Sequence, residues 1–68
     1  MIMTQYGSPV DRILVVDQKT GLADVEMYPD PLSRRKTRRT YFLNQLRADG
    51  GIAEILEAAE RVLPISKI

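Results

Sequence analysis

The densest chemistry in the 68-residue sequence is electrostatic: Arg34, Arg35, Lys36, Arg38 and Arg39 place five cations in the six positions 34–39. Side chains so close together create a local positive potential that attracts anions. On a nucleic-acid backbone, each phosphate they neutralised would release counterions. Ser33, Thr37 and Thr40 could add hydroxyl contacts, Tyr41 and Phe42 adjoin the block as stacking surfaces, and Arg47 supplies a further cation. An acidic patch on a protein would satisfy the same cations equally well. The plainest alternative is a solvated loop whose arginines pair with carboxylates of the same chain, Glu54, Glu57 and Glu60 being the candidates.

The whole-chain balance conceals this block. Ten Lys+Arg against nine Asp+Glu leave a formal +1. The isoelectric point near 8.1 lies below the value of about 9 that nucleic-acid-binding domains usually exceed. Resolved along the chain, residues 1–31 carry −3, residues 32–48 carry +6 and residues 49–68 carry −2. The preferred explanation is contact with an acidic protein partner through Arg34, Arg35, Lys36, Arg38, Arg39, Tyr41 and Arg47. Binding of nucleic acid by the same residues, as a regulator with the Arg/Lys cluster on phosphates, is the alternative.

Catalysis has little to draw on. With no Cys and no His, disulfides, thiolate nucleophiles, imidazole bases and their metal sites are excluded. The sequence contains no phosphate-cradling loop, dinucleotide-binding fingerprint or nucleophile elbow. Asp17, Asp24 and Asp30 lack the spacing of a calcium loop. Gly50-Gly51 before Ile52 could offer amides to an anion at a helix N-terminus, but a plain hinge is the simpler account. The chain reads as non-enzymatic, with no cofactor, metal or small-molecule substrate expected.

The elements that must position the basic block are divided by Pro and Gly. Val10–Tyr28 reads as a β-hairpin: residues 10–17 are rich in β-branched side chains, and residues 22–28 alternate with period two. Ala23, Val25 and Met27 share one face, which leaves Asp24 and Glu26 toward water. Asp17-Gln18-Lys19-Thr20-Gly21 between the strands has an Asp to hold a turn and a Gly to close it. Pro29 and Pro31 stop the second strand. Residues 52–63 read as an amphipathic helix, with Ile52, Ile55, Leu56, Ala59, Val62 and Leu63 on one arc and Glu57–Arg61 as an i,i+4 pair. Residues 40–49 also read as a helix, supported by Leu43, Leu46 and the Gly-Gly stop. Thr37, Thr40, Tyr41 and Phe42 favour β structure instead. The fold class is α+β, an antiparallel hairpin over about residues 10–28 packed on two C-terminal helices, about 40–49 and 52–63. The alternative is a three-stranded sheet, its third strand about residues 36–43, with one C-terminal helix.

One small domain spans residues 1–68, its first and last few residues expected to be flexible. At 7.7 kDa, apolar burial and chain entropy nearly balance, and no disulfide or metal is available to help. Association is the natural remedy. Ile13, Leu14, Val15 and Val16 are four apolar residues in succession, most simply read as burial on both faces of the sheet. The second cover would be the tail Leu63–Ile68, another subunit or a partner protein, and the hairpin's open edge offers a second route to a homodimer. No apolar run approaches the ~18–20 residues of a membrane span. The start Met1-Ile2-Met3-Thr4-Gln5 lacks the features of a secretory signal, so a cytoplasmic location is expected. The sequence thus describes a small, self-associating interaction protein.

Overall fold

The computed structural model describes residues 1–65. Along the chain they form β1 (Ile2–Thr4), β2 (Val10–Asp17), β3 (Leu22–Met27), β4 (Thr37–Phe42), a 3-10 turn (Leu43–Gln45), β5 (Leu46–Ala48), α1 (Gly51–Ala58) and β6 (Ala59–Leu63). The hairpin β2–β3 forms as its turn residues dictate. Asp17 Oδ1 accepts the Lys19 amide at 2.9 Å, and the Gly21 amide donates to the Asp17 carbonyl at 2.8 Å. Gly21 closes the turn at φ 77°, a conformation that costs any residue with a Cβ. On β3, Ala23, Val25 and Met27 are buried and the intervening residues half-buried, as period-two alternation requires.

β2 departs from that alternation, and the run Ile13–Val16 is explained by the departure. Val10 pairs with Met27 and Arg12 with Glu26, then Ile13 with Val25 and Val15 with Asp24. Asp11 and Leu14 are thus extra residues, each a bulge that shifts the face by one. Core-facing positions on β2 recur every third residue: Val10 packs against the core, and Ile13 and Val16 lie within it. Val15, opposite Asp24, belongs to the outer face. Leu14 and Val15 remain half-buried.

β4 settles the ambiguous stretch. The helix expected over residues 40–49 does not form; residues 37–42 are the third strand of the alternative reading, antiparallel to β3 from Leu22↔Phe42 to Met27↔Thr37. Strand preference of Thr37, Thr40, Tyr41 and Phe42 wins because β3 offers a free edge to pair with. The residues that suggested a helical continuation, Leu43–Gln45, make a single 3-10 turn. Leu46, buried, then enters β5.

The second expected helix exists but is shorter than 52–63. α1 ends at Ala58 and Ala59 turns to φ −67°, ψ 134°, starting β6. β6 lies parallel to β2, with Ile13↔Ala59, Val15↔Arg61, Val16↔Val62 and Asp17↔Leu63. The Gln18 amide extends this ladder to the Leu63 carbonyl at 3.2 Å. Ala, Glu, Arg and Leu are good helix formers, so local preference alone continues the helix. Covering the edge of β2 outweighs it. The Glu57–Arg61 pair is therefore not made, since Glu57 is helical and Arg61 is in a strand.

The result is a four-stranded sheet of order β4-β3-β2-β6 and a two-stranded sheet β1-β5. Both edges of the hairpin are occupied by the chain's own strands. Ile2–Thr4, among the first few residues expected to be flexible, pairs with β5 through Ile2↔Ala48 and Thr4↔Leu46. Thr4 is buried, its Oγ1 accepting the Tyr6 and Ser8 amides at 3.2 Å each. The last few residues, for which flexibility was also expected, lie from 66 onward outside the described residues, as does that end of the proposed tail cover. The core is Ile13, Val16, Ala23, Val25 and Met27 from the larger sheet, closed by Leu46 of β5 and Ile55 of α1.

Candidate functional site

Folding divides the basic block between two faces and a loop. Arg38 stands opposite Glu26 and Thr40 opposite Asp24, so both belong to the outer face of the four-stranded sheet, away from the core. Thr37, Arg39 and Tyr41 stand opposite Met27, Val25 and Ala23 on the other face. Arg34, Arg35 and Lys36 precede the strand. There Ser33 Oγ donates to the Arg35 carbonyl at 3.0 Å, and Asp30 Oδ1 accepts the Leu32 amide at 2.8 Å. These bonds give the loop a defined path despite its exposure.

Two of the five cations are engaged within the chain. Lys36 Nζ lies 3.1 Å from Asp11 Oδ2, and Arg38 Nη2 lies 3.1 Å from Asp24 Oδ2. The Thr40 hydroxyl donates to Asp24 Oδ1 at 2.6 Å. The hydroxyl, first, and the guanidinium beside it hold the Asp24 carboxyl below its ordinary range. The Asp11 carboxylate raises the Lys36 ammonium above its ordinary value. A third pairing runs alongside: Arg12 Nε reaches Glu60 Oε2 at 3.0 Å and Glu26 Oε1 at 3.6 Å. Intrachain pairing therefore occurs, with β2 and β3 as the main source of carboxylates. Glu54 binds the Gly50 amide at 2.7 Å and the N-terminal ammonium at 3.5 Å instead.

Arg34, Arg35 and Arg39 are exposed and make no ion pair among the described residues. Tyr41 is not a free stacking surface: it packs against the core and its hydroxyl donates to Met27 Sδ at 3.3 Å. Phe42, 52% exposed, has the open ring. Arg47 belongs to the smaller sheet, where Nη1 donates to the Asn44 carbonyl at 2.6 Å and the Leu46 carbonyl at 3.0 Å. It is not gathered with the block. Of the expected association residues, Ile13 and Val16 are inside the core and present nothing to a second chain.

The strand edge is a feature that side-chain reading missed. The Leu43 amide donates to the Gly21 carbonyl at 2.8 Å, which continues the β3–β4 register. Backbone direction alternates in an antiparallel ladder, so Tyr41, Arg39 and Thr37 turn their amides and carbonyls toward β3. Arg38, Thr40 and Phe42 turn theirs outward. The outward Phe42 amide is taken by Gln45 Oε1 at 2.9 Å, which closes that end of the edge. Among the described residues β4 is terminal in its sheet, so Arg38 and Thr40 offer donors and acceptors with no described strand beside them. The signal for this was available in the sequence only as β preference in residues 37–42.

Other surface features are shallow. A depression of about 300 Å³ on the outer face is lined by Val15, Leu22 and Leu63 with Asp17, Asp24 and Thr40. A second of about 470 Å³ lies against Pro9, Tyr28, Pro31, Ser33 and Arg34. Among the described residues there is no cluster of three or more acidic side chains placed to hold a metal, and no helix is long and apolar enough to cross a membrane. The chain matches no family model, no curated protein and no solved structure.

Proposed function

We propose that this protein is a small, non-enzymatic interaction module that binds an acidic protein segment through Arg34, Arg35 and Arg39. The observation that carries the reading is the division of the basic block. Lys36 and Arg38 are satisfied by Asp11 and Asp24, while the other three cations face solvent along one strand and the loop that leads into it. Exposed arginines without an internal partner are the ones whose charge remains for another molecule. Ile13 and Val16 are core residues, which leaves the half-buried Leu14 and Val15 as the part of the expected association run that a second copy could still meet.

The test is titration with acidic and neutral peptides of equal length, alongside short duplex DNA and single-stranded RNA. Binding of the acidic peptide, weakened about tenfold or more by Arg34→Ala/Arg35→Ala/Arg39→Ala together, supports the reading. The affinity should also fall as salt rises, because these cations are exposed and screened. Tighter binding to DNA or RNA than to any acidic peptide would transfer the function to nucleic acid. No binding to any anionic probe at low salt would remove both.

A further inference from the structure

Resting on the reading of an acidic protein partner, the geometry of β4 points to how that partner binds: we infer that it adds as a fifth strand along β4, paired through the outward backbone groups of Arg38 and Thr40. Strand addition needs an edge with unpaired amides and carbonyls, and affinity then comes from main-chain hydrogen bonds while alternate side chains give selectivity. β4 supplies that edge at one end of the larger sheet. Its six residues extend over roughly 20 Å. The Gln45 side chain on the Phe42 amide limits the pairing to the part of the strand before it.

Charge selects the occupant. A second copy adding through its own β4 would set two Arg38-Arg39 pairs on neighbouring strands, and like charges across a ladder are destabilising. Charged side chains on an edge strand commonly guard it against self-pairing in this way. The same charges admit an acidic strand, provided its carboxylates are on the correct face. Arg39 is on the face opposite to Arg38, while Asp24, which already neutralises Arg38, lies on the outer face. An incoming strand therefore carries acidic residues at every second position, toward Arg39, and neutral residues toward Thr40 and Asp24. Beyond Thr37 it passes the loop bearing Arg34 and Arg35. A phosphate backbone lacks this two-face alternation and meets the Asp11 and Asp24 carboxylates within the block.

The probe is a ten-residue synthetic peptide alternating Glu and Thr, compared with a peptide of the same composition whose Glu residues are consecutive. A third peptide is the alternating one with N-methyl groups on alternate amides, made in both registers. Backbone pairing predicts that the alternating peptide binds about tenfold more tightly than the consecutive one, and that N-methylation abolishes this advantage in one register only. Amide hydrogen exchange at Arg38 and Thr40 should slow on binding, with exchange at Thr37, Arg39 and Tyr41 already slow. Thr40→Pro, which removes the outward amide, should lose the same advantage, and the N-methylated peptides give the answer should that variant not fold. Equal affinity for both peptides, with Arg38 and Thr40 amides unprotected, would overturn strand addition and leave the acidic-partner reading intact. Failure of every acidic peptide to bind would overturn that reading itself. Slow exchange at Arg38 and Thr40 in the peptide-free protein, rising with protein concentration, would show the edge taken by a second copy and also overturn the proposal.

Discussion

Asp24 is held by two β4 side chains, the Thr40 hydroxyl at 2.6 Å and the Arg38 guanidinium at 3.1 Å, and both favour its ionised form. A carboxyl whose folded value is lowered contributes stability in full above its unfolded value and loses it as pH falls through the folded one. Glu54, lowered by the Gly50 amide, acts in the same direction. Lys36 acts in the opposite one: its contribution is present below the ordinary lysine value and is lost as pH rises through the raised folded value. Asp24→Asn should therefore make the acid side of the stability profile shallower. The difference at neutral pH should be about 1 kcal/mol or less, because the pair is partly solvated. Thermal melts from acid to neutral pH measure it, and an unchanged acid slope would remove Asp24 as a contributor. Gly51 gives a conformational prediction. It opens α1 at φ 69° with no atom near a would-be Cβ, so Gly51→Ala introduces strain rather than a clash and should cost about 1 kcal/mol. Ile55, buried in the core, should cost about 2–5 kcal/mol when cut to Ala. Chemical denaturation orders the two, and a larger loss at Gly51 than at Ile55 would contradict the core assignment.

At the scale of the element, β2 carries an unusual pattern, a core face that repeats every third residue because Asp11 and Leu14 are bulged. Leu14 stands between the pairs Ile13↔Ala59 and Val15↔Arg61, where β6 has Glu60. Deleting Leu14 alone would make β2 regular against β3 from Arg12 onward but one residue out of register against β6, and a one-residue slip exchanges the two faces of a strand. Deleting Leu14 and Glu60 together should restore both registers. The double deletion is expected to melt above the single one even though it loses the Glu60–Arg12 ion pair, and a lower melting temperature would count against the paired-bulge account. The hairpin, its Asp17–Gly21 turn and the buried Ala23-Val25-Met27 face were legible because each depends on neighbours in sequence. The rest depended on partners far along the chain. Residues 37–42 had enough β preference to be weighed as a strand, but the apolar spacing of Leu43 and Leu46 imitated a helix. Ala59–Leu63 continued the helical period of α1 without a break, and nothing local announced the edge of β2 waiting for it. β1 and β5, three residues each, are too short for any period to show.

For the molecule as a whole, the sequence located the cationic segment without revealing its neutralisation. Charge totals by block place +6 in residues 32–48, but the sheet order brings Asp24 of β3 beside Arg38 and Asp11 of β2 beside Lys36, contacts that no one-dimensional count contains. On the proposed function, replacing Lys36 and Arg38 should weaken binding of the acidic partner less than replacing Arg34, Arg35 and Arg39. Binding measured on the two multiple variants distinguishes them, and equal losses would mean the intrachain pairs open on contact. The parallel seating of β6 on β2 also has a kinetic side. That ladder joins distant parts of the chain, and non-local pairing of this kind slows folding from microseconds toward about milliseconds or longer. Until residues 59–63 arrive, the edge of β2, with Ile13–Val16 in it, stands open as a template for another chain. The hazard of aggregation thus belongs to the interval before the last strand docks, so refolding yield should fall with protein concentration while the folded protein stays in solution at the same concentration.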